Sequence, residues 1–310
     1  MNTFWKHYGR VALLMAGIVL LSAVITVFTG TVGIPRRGKT VVATTYPLFV
    51  VARSILGDTD GVALTMLSGV GNGCLHDYQL SPADRMALER ADLVLMNGAD
   101  AEPFLADVVT EKQMVDTTAG LTLLKAVEEH DHEEHDHAQV NTHVWMSPTL
   151  YRAQVEAVGA ALCALDPANA AAYQDNLAAY LLAIDEVRAE IAVLREAVAG
   201  RPCVLFHDSL AYWAQEWSLD VKLVLLADGE GGASAADLAA VEALAREYPD
   251  IVLLYDKQYR IRYTALDALV PAGQVLALDT AVTGQGVADD WVNAMNKNLE
   301  QFRNMMEASV

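Results

Sequence analysis

The sequence predicts an α/β protein of two lobes, each with a small, mostly parallel sheet flanked by helices, joined by one long backbone helix. Three observations lead there. From Thr40 onward, short β-branched or apolar runs alternate with amphipathic stretches, the pattern of parallel-sheet architecture. One unusually long helical stripe over 166–200 interrupts that alternation, which then resumes. Ahead of the interruption lies the run 128–137, acidic and rich in histidine, without one apolar residue to join a core.

In chain order, strands are expected at 41–45, 62–66 and 93–96, with helices at 48–56, 82–90 and 103–109. The second half repeats the pattern, with strands at 204–206, 252–255 and 275–278 and helices at 234–247 and 289–307. Between the halves, Asp166 can cap a helix, Pro167 suits its first position and Gly200 its end. Tyr173, Leu177, Tyr180, Ile184, Val187, Ile191, Leu194 and Val198 alternate steps of four and three and form one apolar stripe. At about 1.5 Å per residue, a helix over 166–200 would reach about 50 Å, enough to run along both halves. The expected division is therefore an N-terminal segment 1–39, a first lobe 40–150, a connecting segment 151–200 and a second lobe 201–310.

Residues 11–32 are almost unbroken apolar sequence, flanked by Lys6 and Arg10 before and Arg36, Arg37 and Lys39 after. About 20 apolar residues suffice to span a bilayer as a helix. No A-x-A cleavage site stands out and no cysteine follows to accept a lipid, so a signal anchor is expected, with a cleaved signal peptide as the alternative. Forty acidic against 21 basic side chains give a net charge of −19, which repels polyphosphate and argues against a nucleic-acid partner. Cys74, Cys163 and Cys203 are scattered, lack CxxC pairing and read as buried small residues.

Of eight histidines, His130, His132, His135 and His137 lie in the acidic run, and one precedes the apolar segment. The other three, His76, His143 and His207, are spread through the chain. His207 ends the apolar run Cys203 to Phe206, and Asp279 ends the run Val275 to Leu278 in the same way. Groups at strand carboxyl ends face the crevice where open α/β sheets bind ligands. His76 follows a glycine-rich loop, and His143 precedes Val144-Trp145 and a Ser-Pro turn. Three imidazoles and one carboxylate suit Zn²⁺, which takes four nitrogen, oxygen or sulfur donors in a tetrahedron. Taken singly, each histidine is as well explained as a hydrogen-bonded structural group, and Asp279 as a cap or salt-bridge partner.

From Thr40 to the C-terminus these segments resemble the zinc- and manganese-binding receptors of ABC importers, which implies a rigid backbone helix and a ligand held in the inter-lobe cleft. That family's P-H-x-Y-E-x-x-P-x-D reads here as Leu75 to Asp84, and its D-P-H-V-W-L-D-P as Asn141 to Pro148. Its F-H-D-x-x-x-Y is Phe206 to Tyr212, and its late V-L-D acid matches Asp279. The resemblance implies His76, His143, His207 and Asp279 as metal ligands, with the histidine-rich run as an auxiliary chelator. It implies reversible capture of a zinc ion outside the cytoplasmic membrane and delivery to an ABC permease by a monomeric protein. The N-terminal segment would tether the receptor to the outer face of that membrane, or release it to the periplasm or cell surface if cleaved. Histidine at 207, where manganese members carry glutamate, favours Zn²⁺ over Mn²⁺ or iron. Leu75, Gln79, Asn141, Thr142 and Ser147 depart from the motifs beside the ligands, where side chains orient imidazoles.

Four protein donors would leave no position for an activated water, which speaks against catalysis. A metal-dependent hydrolase with Asp208 or Glu230 as base is the enzymatic alternative, but the chain has no HExxH, GxSxG or phosphate loop. A surface adhesin with a structural metal is the other alternative.

Overall fold

The computed structural model describes residues 38–67, 78–105, 108, 114–127, 140–225, 234–258 and 267–308. The apolar segment 11–32, His76 and the four histidines of the acidic run lie outside the described residues. No helix among the described residues is long and apolar enough to cross a membrane.

Two four-stranded parallel sheets form the scaffold. The first has strands β1 (Lys39–Ala43), β2 (Val62–Met66), β3 (Leu93–Met96) and β4 (Met114–Asp116), in the order β2-β1-β3-β4. The second has β5 (Pro202–Leu205), β6 (Asp220–Val224), β7 (Val252–Asp256) and β8 (Val275–Leu278), in the order β6-β5-β7-β8. The two orders are the same, so each sheet has a switch point, between β1 and β3 and between β5 and β7, where successive crossovers leave in opposite directions and open a crevice. The central strands β5 and β7 are wholly buried, which is why their apolar runs were readable. Strands β4 and β6 were not expected: β4 is three residues long, and β6 is an edge strand with an exposed, charged first half.

The helices begin on recognisable chemistry. In α1 (Tyr46–Leu56) a proline stands in the first turn, and α2 (Pro82–Arg90) starts with a reciprocal capping box between Ser81 and Asp84. Ser147 caps α3 (Pro148–Leu165) by accepting from the Leu150 N–H. Then come α4 (Ala170–Leu194), α5 (Ala211–Glu216), α6 (Ala235–Glu247), capped by a second box between Ser234 and Asp237, and α7 (Asp290–Ala308). The expected helix at 103–109 is a 3-10 turn at Pro103–Leu105 in the described residues.

The single helix expected over 166–200 is corrected to α4, 25 residues followed by a 3-10 turn at Arg195–Ala197. Asp166 does not cap it. Its carboxylate accepts from Asn169 Nδ2 and the Tyr173 hydroxyl, and the chain turns between α3 and α4. At about 1.5 Å per residue α4 is about 38 Å long. Its stripe behaves as read: Tyr173, Tyr180, Ile184, Val187 and Ile191 are buried. They pack against α1, α3 and α7, and Gly159 of α3 lets the Leu177 side chain approach closely. One core cluster runs from β1 and β3 through α3 and α4 to β5, β7 and α7, with Tyr151 stacked on Trp291 at 4.2 Å and Trp217 on Phe302 at 4.0 Å. Cys163 is half-buried and Cys203 buried, both unbridged, and burial pushes the Cys203 thiol up to about 12.

Candidate metal centre

His207 stands two residues past the end of β5, in extended backbone, so its ring projects into the crevice at the second sheet's switch point. Asp256, the last residue of β7, flanks the same point. His143 arrives by a different route, on the irregular segment after the isolated bridge between Lys125 and Val140, just ahead of the 3-10 turn Val144–Met146. The chain brings these groups together although 64 residues separate the two histidines. Their ring centroids are 5.4 Å apart with the planes nearly perpendicular, and each residue is at least nine-tenths buried.

Asp208 completes the group. Its Oδ1 lies 3.3 Å from His207 Nδ1 and 3.6 Å from His143 Nδ1. Among the described residues these three form the one cluster of histidine, cysteine or carboxylate donors, all within 4.8 Å of one another, that could hold a metal ion. Two imidazoles and a carboxylate, partly buried and without a thiolate, are donors suited to a borderline divalent cation such as Zn²⁺.

The surroundings fix the rings. Asn141 Oδ1 accepts the His143 backbone N–H at 2.9 Å and stands 3.1 Å from His143 Nδ1, while Asn141 Nδ2 donates to the Asp208 carbonyl at 2.8 Å. Those two backbone contacts settle which end of the amide is oxygen, so His143 Nδ1 must carry the proton and Nε2 presents its lone pair. His207 Nδ1 accepts from the Ser209 N–H at 3.0 Å and also faces Asp208. A metal on Nε2 would place the proton on Nδ1 and favour the Asp208 contact over the Ser209 one. Behind His207, burial raises the Asp256 carboxyl above the usual range, against hydrogen bonds from Gln258 and Thr280 and the His207 charge, which lower it.

Cross-links hold the His143 segment onto the second half. Trp145 Nε1 donates to the Thr280 carbonyl at 2.9 Å, Trp291 Nε1 to the Trp145 carbonyl at 3.1 Å, and the Tyr212 hydroxyl to the Asn141 carbonyl at 2.8 Å. Ser147, besides capping α3, donates to Glu216. On the other side, the Thr142 carbonyl accepts from Asn97 Nδ2 at 2.9 Å. Asn97 and Thr44 follow β3 and β1, at the first sheet's switch point, and both bind the buried carboxylate of Glu102. Gly98 N–H donates a third hydrogen bond to it, yet burial wins and raises the Glu102 carboxyl to about 7.

Of the residues expected to bind metal, the structure thus brings together His143 and His207. Asp279 stands at the end of β8 as expected, but outside the cluster. Its Oδ2 pairs with Lys257 Nζ at 2.7 Å and its Oδ1 accepts from the Ala281 N–H. Asp208, considered from sequence only as a hydrolase base, and Asp256, not considered, are additional acids at the site. The strand-end rule that found His207 also applies to Asp256 once β7 is known to adjoin β5. Asn141 replaces a motif aspartate, and its amide supplies the acceptor that His143 Nδ1 needs.

Residues 41–305 match the family described as zinc-uptake complex component A, periplasmic. The chain belongs to that family. Among relatives of the zinc-uptake family, it is 25% identical over 289 residues to the high-affinity zinc uptake system protein ZnuA of Yersinia pestis, covering 84% of this chain and 89% of that protein. It is 27% identical over 231 residues to the ZnuA of Bacillus subtilis (strain 168), covering 70% of each. A solved crystal structure of ZnuA superposes with a TM-score of 0.69 at 24% identity, covering 86% of this chain and 98% of that one, a likeness of fold. Family and fold therefore agree with the two parallel four-stranded sheets described above.

Proposed function

We infer that the protein is a receptor that captures Zn²⁺ reversibly outside the cytoplasm and hands it to the permease of an ABC importer. The observation that carries this reading is the pair of buried, orthogonal imidazoles of His143 and His207 facing the one carboxylate of Asp208. In this reading His76 and Asp279 complete a four-donor shell, and His130, His132, His135 and His137 act as a loose auxiliary chelator near the cleft. Such a shell captures an ion without activating water, so the protein is proposed to be no enzyme. Segment 1–39 is proposed as a signal anchor or cleavable signal, followed by lobes at 40–150 and 201–310 and the connecting segment 151–200, in a monomer.

Isothermal titration of chelator-treated protein with Zn²⁺, and separately with Mn²⁺, tests this. One tight zinc site that His207→Ala abolishes and deletion of 128–137 leaves in place is expected. A wild-type protein without tight zinc binding would overturn the receptor reading.

A further inference from the structure

The Asp279 carboxylate has unequal partners. Its backbone is clamped by Asn298, which is fully buried: Asn298 Oδ1 accepts the Asp279 N–H at 2.8 Å and Nδ2 donates to the Asp279 carbonyl at 2.9 Å. Oδ1 accepts the Ala281 N–H at 3.0 Å, and Oδ2 is taken by Lys257 Nζ at 2.7 Å. The aspartate cannot shift as a unit without breaking buried hydrogen bonds, which is costly. The lysine can leave, because its side chain is 57% exposed against 17% for Asp279 and rests on a flexible stem. A cavity of about 710 Å³ opens beside the pair, bordered by the acids Asp290 and Glu300 and the bases Lys297 and Arg303 as well as by Lys257 and Asp279, and gives the lysine side chain room to swing away.

A divalent cation on the Asp279 carboxylate would meet the Lys257 ammonium at close range, and the two like charges compete for the same anion. We propose that Lys257 is an internal competitor for the metal, an affinity-setting residue whose ammonium must be displaced from Asp279 before that carboxylate can bind cargo. The inference rests on Asp279 being a ligand in the receptor reading above. Lys257 lowers affinity twice, by occupying the carboxylate and by placing a positive charge beside the incoming cation. It also makes the site easier to empty, since the ammonium can return to Asp279 as the ion leaves.

The test is zinc titration of the full chain as wild type, Lys257→Met, Asp279→Asn and the double variant, at low and high salt. Lys257→Met is expected to tighten zinc binding roughly threefold to tenfold at low salt, the modest size of a largely exposed ion pair plus one removed like charge. The gain shrinks at high salt, where the charges are screened, and in the Asp279→Asn background falls to the smaller part that comes from removing a like charge. An unchanged affinity in Lys257→Met, or a gain equally large without the Asp279 carboxylate, overturns the proposal while leaving the receptor reading intact. Absence of zinc binding from wild type and Lys257→Met alike overturns both.

Discussion

The side-chain oxygen of Asn141 holds His143 at two points, accepting its backbone N–H at 2.9 Å and meeting its ring Nδ1 at 3.1 Å. One amide thereby sets both the position and the tautomer of the ring. Asn141→Ala should weaken zinc binding by about 10- to 100-fold, the usual range for loss of a group that orients a metal-binding imidazole. Asn141→Asp keeps the acceptor, loses the donation to the Asp208 carbonyl, and should retain most of the affinity. Zinc titration with circular dichroism as a folding control separates the two.

Metal capture needs neutral imidazoles, so protons compete with zinc at His143 and His207. Zinc affinity should therefore be lower in acid, at about pH 5, than at neutral pH. Affinity that stays level to about pH 5 in a competition titration would show that imidazoles are not the donors.

Glu102 predicts a pH dependence of stability that is separate from metal binding. Burial raises its carboxyl to about 7 in the folded chain, so between about pH 4.5 and 7 the folded state holds a proton that the unfolded state has released. Stability from this group therefore falls as pH rises through that window, by on the order of 3 kcal/mol, and is level on either side. Glu102→Gln cannot ionise and should lack that decline. Urea unfolding of both proteins at pH 5 and pH 8 gives the comparison.

Gly98 has φ +81°, and a Cβ there would stand 1.9 Å from Asp116 Oδ1 and 2.3 Å from Thr118 Oγ1. Gly98→Ala must therefore displace the Asp116 and Thr118 side chains or the turn that carries the N–H to Glu102, and at positive φ it is strained in either case. It should cost roughly 2 kcal/mol or more and lower Tm. A Tm equal to wild type would show that the turn yields freely.

A receptor should stay folded when stripped of metal. Excess zinc should raise Tm, by the equivalent of about 2.7 kcal/mol at a hundredfold excess over Kd, and chelator should reverse the shift without unfolding the chain at 25 °C. Global unfolding by chelator in circular dichroism would instead mark a structural metal and favour the adhesin alternative.

By itself the sequence determined what depends on short-range pattern. Short apolar runs such as Val252 to Tyr255 read as buried strands, and the helix expected from Pro82 starts there, whereas Ser147-Pro148, read only as a turn, opens α3. Histidines and an aspartate at strand ends pointed to a metal site because strand carboxyl ends open onto a crevice whatever the rest of the chain does. The tertiary structure alone decided the rest. Edge strands β4 and β6 carry too little apolar signal to be seen without the neighbour that pairs them, and Asp166 was free to cap a helix until Asn169 and Tyr173 claimed its carboxylate. At the site, sequence distance says nothing about contact. Only the folded chain sets Asp208 against both imidazoles, lets Asn141 serve where an aspartate was expected, and pairs Asp279 with Lys257 across 22 residues. Those relationships come from long-range packing, which local propensity does not encode.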